Sequence, residues 1–329
     1  EIAHRDFDIN NWLFVEIESV DNADSGRNLA LGTQVVGPTV FDGSSWSNLE
    51  PDQSRTAIIA GSFSGAPNTF VACNLTINSG VNANFDSNGA TSNSVVIYGD
   101  LIVNGSLTIG DTESLVVYNP VSSFVTITKI ENSTVNNYSN DITYWSSPVQ
   151  GSQLSTIFAG SDPNRIFEFR AGQVIPDYAG TNFQYWFVAN GAMGQGVGYA
   201  VEGVGTGVQS VSFSGVPYNG LWQQNLYYSG TPDNTPTANE NFNLIGNPYP
   251  AAIDMQRILI DNGNVNEIAL WTHSTERDPA TGEFFDSDYV YYSTTGSTTP
   301  GVTENIASGQ GFMIRTVSGG SLDLIDDYK

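Results

Sequence analysis

The chain has 329 residues with 10 basic and 34 acidic side chains, a net charge of −24, yet only 13% of its residues are charged, about half the usual quarter. Its polarity therefore comes from Asn, Ser, Thr and 34 glycines, while 12% aromatic content supplies apolar mass that a disordered chain lacks. With only two lysines, Lys129 and Lys329, there is little to neutralise phosphates or an anionic bilayer, which argues against nucleic acid and membrane-surface partners.

The length fits two domains or one long all-β domain. No apolar run approaches the ~20 residues of a membrane helix. The single cysteine, Cys73, excludes an intrachain disulfide and a metal knuckle. Glu1 in place of an initiator points to a processed or excised piece.

Short alternating runs bounded by Gly, Asn, Asp or Pro recur throughout, so the expected class is all-β. Residues 1–64 read as an N-terminal β segment, with Trp12 to Ile17 as one strand and Arg55 to Gly61 as the strand feeding the next unit. From Cys73 to Tyr118 apolar pairs recur as Leu75/Ile77, Val95/Ile97, Leu101/Val103, Leu107/Ile109 and Leu115/Val117, separated by turns such as Asn78-Ser79-Gly80, Gly99-Asp100, Asn104-Gly105 and Gly110-Asp111. Strands this short and closely punctuated suit a parallel β-solenoid over 65–121, of about three coils, in which each coil buries its inward residues on the next. Ordinary hairpins closed by Asn-Gly turns are the alternative. Between Arg55 and Lys129 there is no basic residue, and only Asp86, Asp100, Asp111 and Glu113 are acidic.

Beyond Pro120 the strands lengthen and become aromatic, as in Arg165 to Phe169, Gln184 to Val188, Ser210 to Phe213 and Asp288 to Tyr292. Turn signals every eight to twelve residues then predict an antiparallel β-sandwich over 122–329. One helix is expected near 251–260, with Ile253, Arg257 and Ile260 near one face and Asn262-Gly263 as its stop. The preceding Asn247-Pro248-Tyr249-Pro250 turn invites one cis X-Pro bond.

Several segments carry a resemblance: FDGSSWSNLEPDQSRTAIIAGSF (Phe41 to Phe63), ACNLTINSGV (Ala72 to Val81), YWSSPVQG (Tyr144 to Gly151), GQGVGYAVEG (Gly194 to Gly203), NFNLIGNPYPAAID (Asn241 to Asp254) and IASGQGFMI (Ile306 to Ile314). In this order they resemble modular surface and secreted proteins of the Bacteroidota, especially flavobacteria, exported by the type IX secretion system. The resemblance implies an extracellular or cell-surface location, often within large adhesins. It carries no active site.

The chemistry-bearing residues are sparse. A Ser-His pair has only His4 and His273 to draw on, and Gly61-Ser62-Phe63-Ser64-Gly65 places Phe63 where a nucleophile elbow needs serine. Cys73 at a strand start reads as an inert buried thiol. The clusters Gly194 to Gly198 and Gly203 to Gly207 lack dinucleotide spacing and read as strand bends and close backbone approach. A carboxylate pair for glycoside hydrolysis is set by space rather than sequence, but this solenoid offers no cationic clamp for an acidic polysaccharide. Trp12, Trp46, Trp145, Trp186, Trp222 and Trp271, with Tyr227-Tyr228 and Tyr289 to Tyr292, are candidates for a sugar-stacking platform or for core.

For a metal, calcium is the one candidate cofactor. Asp278, Glu283, Asp286 and Asp288 lie within one loop, and Asp21-Asn22-Ala23-Asp24-Ser25-Gly26 resembles half of a calcium loop without its distal glutamate. Solvated acids that keep an exported protein soluble are the alternative. The sequence thus predicts a non-catalytic extracellular structural or adhesive module of a large bacterial surface protein, with cell-surface or matrix components, glycans and neighbouring domains as partners. The alternative is a carbohydrate-binding accessory module of a secreted polysaccharide-degrading enzyme.

Overall fold

A computed structural model describes residues 37–65, 69–87, 93–132, 141–172, 185–203, 208–230, 241–272, 275, 278, 280, 284–297 and 299–325. The expected strand at Trp12 to Ile17 and the Asp21 to Gly26 segment lie outside them.

The solenoid is built from three parallel faces. One stacks Thr39–Phe41, Ala57–Ile59, Leu75–Ile77 and Leu101–Val103; a second stacks Phe63–Ser64, Asn82–Phe85, Ser106–Ile109 and Val125–Asn132; a third stacks Phe70–Ala72, Ser94–Ile97 and Ser114–Val117. Parallel pairing throughout rules out the hairpin alternative. The stack has four strands on its first face rather than the three coils expected, because Thr39–Phe41 already joins it.

Register turns the alternating apolar pairs into inward ladders. Ala57, Leu75 and Leu101 stack in one, Ala72, Ile97 and Val117 in another, and Phe85, Ile109 and Ile127 in a third. All nine are buried. The outward positions carry polar rungs, such as Ser106 Oγ to Asn82 Oδ1 at 2.7 Å.

Each end of the stack is closed. At the N-terminal end Phe41, Trp46, Phe63, Phe70 and Phe85 form a ring cluster with centroids 4.8 to 6.3 Å apart. At the other end, where open strand edges would invite pairing with another chain, all three edges find partners. Strand Val208–Gly215 pairs antiparallel with Val125–Asn132. Ser123 Oγ bridges Val103 N and the Leu101 carbonyl. The Leu115 N–H donates to the Pro250 carbonyl at 2.8 Å.

The remainder is a sandwich of two antiparallel sheets. The first orders its strands Ile142–Trp145, Tyr199–Glu202, Ile166–Phe169 and Trp186–Val188. The second orders Phe242–Gly246, Gly311–Thr316, Val265–Trp271, Tyr289–Ser293 and Gly296–Ser297.

Side-chain alternation divides the core into three layers. Trp145, Ile166, Tyr199 and Val201 share one continuous cluster with the solenoid interior. The opposite face of the same sheet, with Tyr144 and Ala200, meets Leu244, Ala269 and Met313 of the second sheet. The far face of the second sheet, with Ile245, Ile268, Phe312 and Ile314, packs on a helix and on the strand pair Trp222–Leu226/Gly320–Leu324.

Two local expectations are corrected. The helix occupies Met255–Asp261 rather than 251–260, because the Asp254 carboxylate accepts from the N–H groups of Gln256 (2.7 Å) and Arg257 (3.1 Å) and fixes the start there. Its buried face is Met255, Ile258 and Leu259, while Arg257 and Ile260 point outward. Both X-Pro bonds of Asn247-Pro248-Tyr249-Pro250 are trans. The Asn247 side chain shapes that turn by itself, accepting from Tyr249 N–H (2.9 Å) and donating to the carbonyls of Ala251 (2.8 Å), Ile306 (3.2 Å) and Ala307 (3.0 Å).

Candidate functional site

The seam between solenoid and sandwich holds a cavity of about 130 Å³. The strand Val125–Asn132 makes it: Thr126 and Ile127 pair with the last coil, and the strand then runs on, carrying Lys129 over the turn at Asp111. Val125, Ile127 and Lys129 share the inward face. Lys129 is thus a buried ammonium at 5% exposure, donating to the Asp111 carbonyl. Burial holds its pKa below the ordinary lysine range against the opposing pull of the Asp111 and Glu113 carboxylates. The sequence reading passed over Lys129; the V-x-I-x-K alternation from Val125 was the available signal.

The sandwich supplies the other wall through Thr143, Tyr144, Trp271 and Gln310. The Tyr144 and Tyr289 hydroxyls are hydrogen-bonded to each other. Burial drives the Tyr144 pKa well above the ordinary phenol value and pushes that of Tyr289 up to about 12. The Trp271 ring sits 4.9 Å from Tyr289 and 5.5 Å from Phe284, with its indole N–H buried and without a hydrogen-bond acceptor among the described residues. Gln310 is anchored by accepting the Ala307 N–H at 2.9 Å. The cavity therefore offers an ammonium, a hydroxyl, an amide and an aromatic wall, a set suited to holding a small polar molecule.

The residues singled out from sequence fall elsewhere. Asp288 is buried, takes the Thr275 hydroxyl on its carboxylate and uses its carbonyl to bind the Thr272 N–H (2.8 Å) and hydroxyl (2.7 Å). Asp278 accepts the Ala280 N–H at 2.7 Å, and Asp286 is exposed. Glu283 lies outside the described residues. Among the described residues, no three His, Cys, Asp or Glu side chains gather as a metal centre. Cys73 is half-buried at a solenoid corner, with its sulfur 3.6 Å from Asn74 Nδ2.

The five described tryptophans are all packed to some degree: Trp145 and Trp222 are buried, and Trp46, Trp186 and Trp271 half-buried. The exposed aromatic pair is instead Tyr98 and Tyr118, 44% and 49% exposed, stacked at 5.2 Å and 11° along one solenoid corner.

A family model described as a domain of unknown function, DUF8693, matches residues 42–323. The chain belongs to the DUF8693 family. The match spans the solenoid and the sandwich, so the DUF8693 domain comprises both. No curated protein and no solved structure matches the chain. Among the described residues no helix is long and apolar enough to cross a membrane.

Proposed function

We propose that this DUF8693 chain is a non-catalytic structural and adhesive module of a large bacterial surface protein, displayed outside the cell. The observation that carries this reading is where the strings of recognisable sequence meet. Tyr144 to Gly151, Asn241 to Asp254 and Ile306 to Ile314 converge on the seam. There Ser146 N–H donates to Gly309 O (2.7 Å), Asn247 N–H to Gln310 O (2.9 Å) and Leu115 N–H to Pro250 O (2.8 Å). Gly246 passes so close to Ser146 that an added Cβ would stand 2.0 Å from its hydroxyl oxygen. These segments weld two β units into one body, a role that explains their residues through packing. A rigid, acidic, lysine-poor body suits a strut in a long exported chain.

The test is made on cells that carry the parent protein. Antibody to the module should label intact cells, and its deletion should lower attachment to matrix or glycan surfaces without loss of any hydrolase activity. An unlabelled surface with unchanged attachment would refute the proposal.

The exposed Tyr98–Tyr118 stack favours a second reading, carbohydrate binding, because sugars dock on accessible aromatic rings. Saturable binding to one glycan class, lost in Tyr118→Ala, is the outcome that selects it.

A further inference from the structure

One solenoid corner carries a buried carboxylate with one oxygen left without a hydrogen bond among the described residues. Where one coil leaves Asn82–Phe85 and the next leaves Ser106–Ile109, Asp86-Ser87 is stacked on the turn from Gly110 to Glu113. Glu113 is 1% exposed. Its Oε1 accepts the Ser87 N–H at 2.9 Å and the Thr112 hydroxyl at 3.4 Å. Its Oε2 is buried and receives no hydrogen bond among the described residues.

That oxygen is not aimed at random. Gly110, whose N–H is fixed on the Phe85 carbonyl at 2.7 Å, lets the carboxylates of both coils approach its backbone closely at the same corner. A Cβ built there would stand 2.4 Å from Glu113 Oε2 and 2.7 Å from Asp86 Oδ1. Carboxylate oxygens from two successive coils therefore converge on the cradle beside one glycine. The Lys129 ammonium is turned to the Asp111 carbonyl and is attracted to the Glu113 carboxylate. A buried carboxylate oxygen without a hydrogen bond is a favourable ligand for a cation. Two oxygens so placed are within the span of a single hard cation with ~2.3–2.6 Å oxygen bonds, whose remaining ligands can be carbonyls and water.

We propose that Asp86 and Glu113 bind one divalent cation of the calcium class, which ties adjacent solenoid coils together at this corner. This site is distinct from the 278–288 loop.

The experiment uses the full chain after chelation, with calcium and magnesium chlorides as probes in calorimetric titration and thermal melts. The expected result is one saturable calcium site, with a melting temperature that rises in millimolar calcium and falls again with chelator. Glu113→Gln keeps the side-chain volume and the acceptor for Ser87 N–H, and should abolish the response. Asp86→Asn, at a half-exposed position, should weaken binding tenfold or more and serves if Glu113→Gln folds poorly. Lys129→Met removes a competing positive charge and should tighten binding. Asp278→Asn with Asp286→Asn should leave it unchanged.

Two outcomes overturn the proposal. One is no calcium heat and a melting temperature indifferent to chelator. The other is a response lost in the 278/286 variant and kept in Glu113→Gln.

Discussion

Replacing Ile109 by alanine probes the solenoid at its best-defined rung. Ile109 lies between Phe85 of the preceding coil and Ile127 of the following strand, in backbone register with both, and all three are fully buried. Truncation removes three carbon atoms, about 2.4 kcal/mol of transfer free energy at ~0.8 kcal/mol per carbon. Neighbours held by parallel ladders on both sides cannot close the gap. A residual void of ~60 Å³ at ~24 cal/mol per Å³ then adds about 1.5 kcal/mol, for a total near 4 kcal/mol. Ile102→Ala is the matched control: Ile102 points outward from the first face at 47% exposure, and its truncation should cost under about 1 kcal/mol. Urea unfolding followed by tryptophan fluorescence and far-ultraviolet circular dichroism gives both values. An Ile109→Ala cost below about 1 kcal/mol, or equal to that of Ile102→Ala, would refute the stacked-rung reasoning.

Two further predictions bear on the sandwich. Asn247→Ala should cost about 4 kcal/mol or more in the same unfolding assay, since it strips one N–H and three carbonyls of buried partners at ~1–3 kcal/mol for each group left unsatisfied. The raised Tyr144 and Tyr289 values predict a loss of alkaline stability. Their neutral forms are favoured by folding, so the contribution is complete below the unfolded pKa of about 10 and is lost as pH rises from there through about 12. Absorbance titration of the folded chain should show phenols that ionise well above pH 10, and a single transition near pH 10 in the native state would contradict this.

The sequence made the solenoid legible because its apolar pairs and its turns recur at short spacing, and inward Leu75/Ile77 and Leu107/Ile109 follow directly from strand alternation. It hid the extra strand at Thr39–Phe41, because the coils differ in length and the closing aromatics come from Phe41, Trp46, Phe63 and Phe70, far apart in sequence. The three-layer order of the sandwich was invisible for a related reason: Tyr144 and Trp145 are neighbours that serve different cores. The helix start depended on the Asp254 cap, and the Asn-Pro-Tyr-Pro turn on the bonds that Asn247 makes to residues near 306. Glu113 and Asp86 were noted only as rare acids on an uncharged stretch. Their meeting at Gly110 is a product of coil register.

The central structural claim is that solenoid and sandwich form one cooperative body through the shared core that runs from Ala57 to Phe213. Native-state hydrogen exchange tests it most directly, because amides that open only by global unfolding report one common free energy. The account predicts that the most protected amides of Leu75–Ile77 and Ser106–Ile109 in the solenoid and of Ile142–Trp145 in the sandwich share that value, and that Ile109→Ala lowers all of them together. A solenoid that opens at distinctly lower free energy while Ile142–Trp145 stays protected would contradict it.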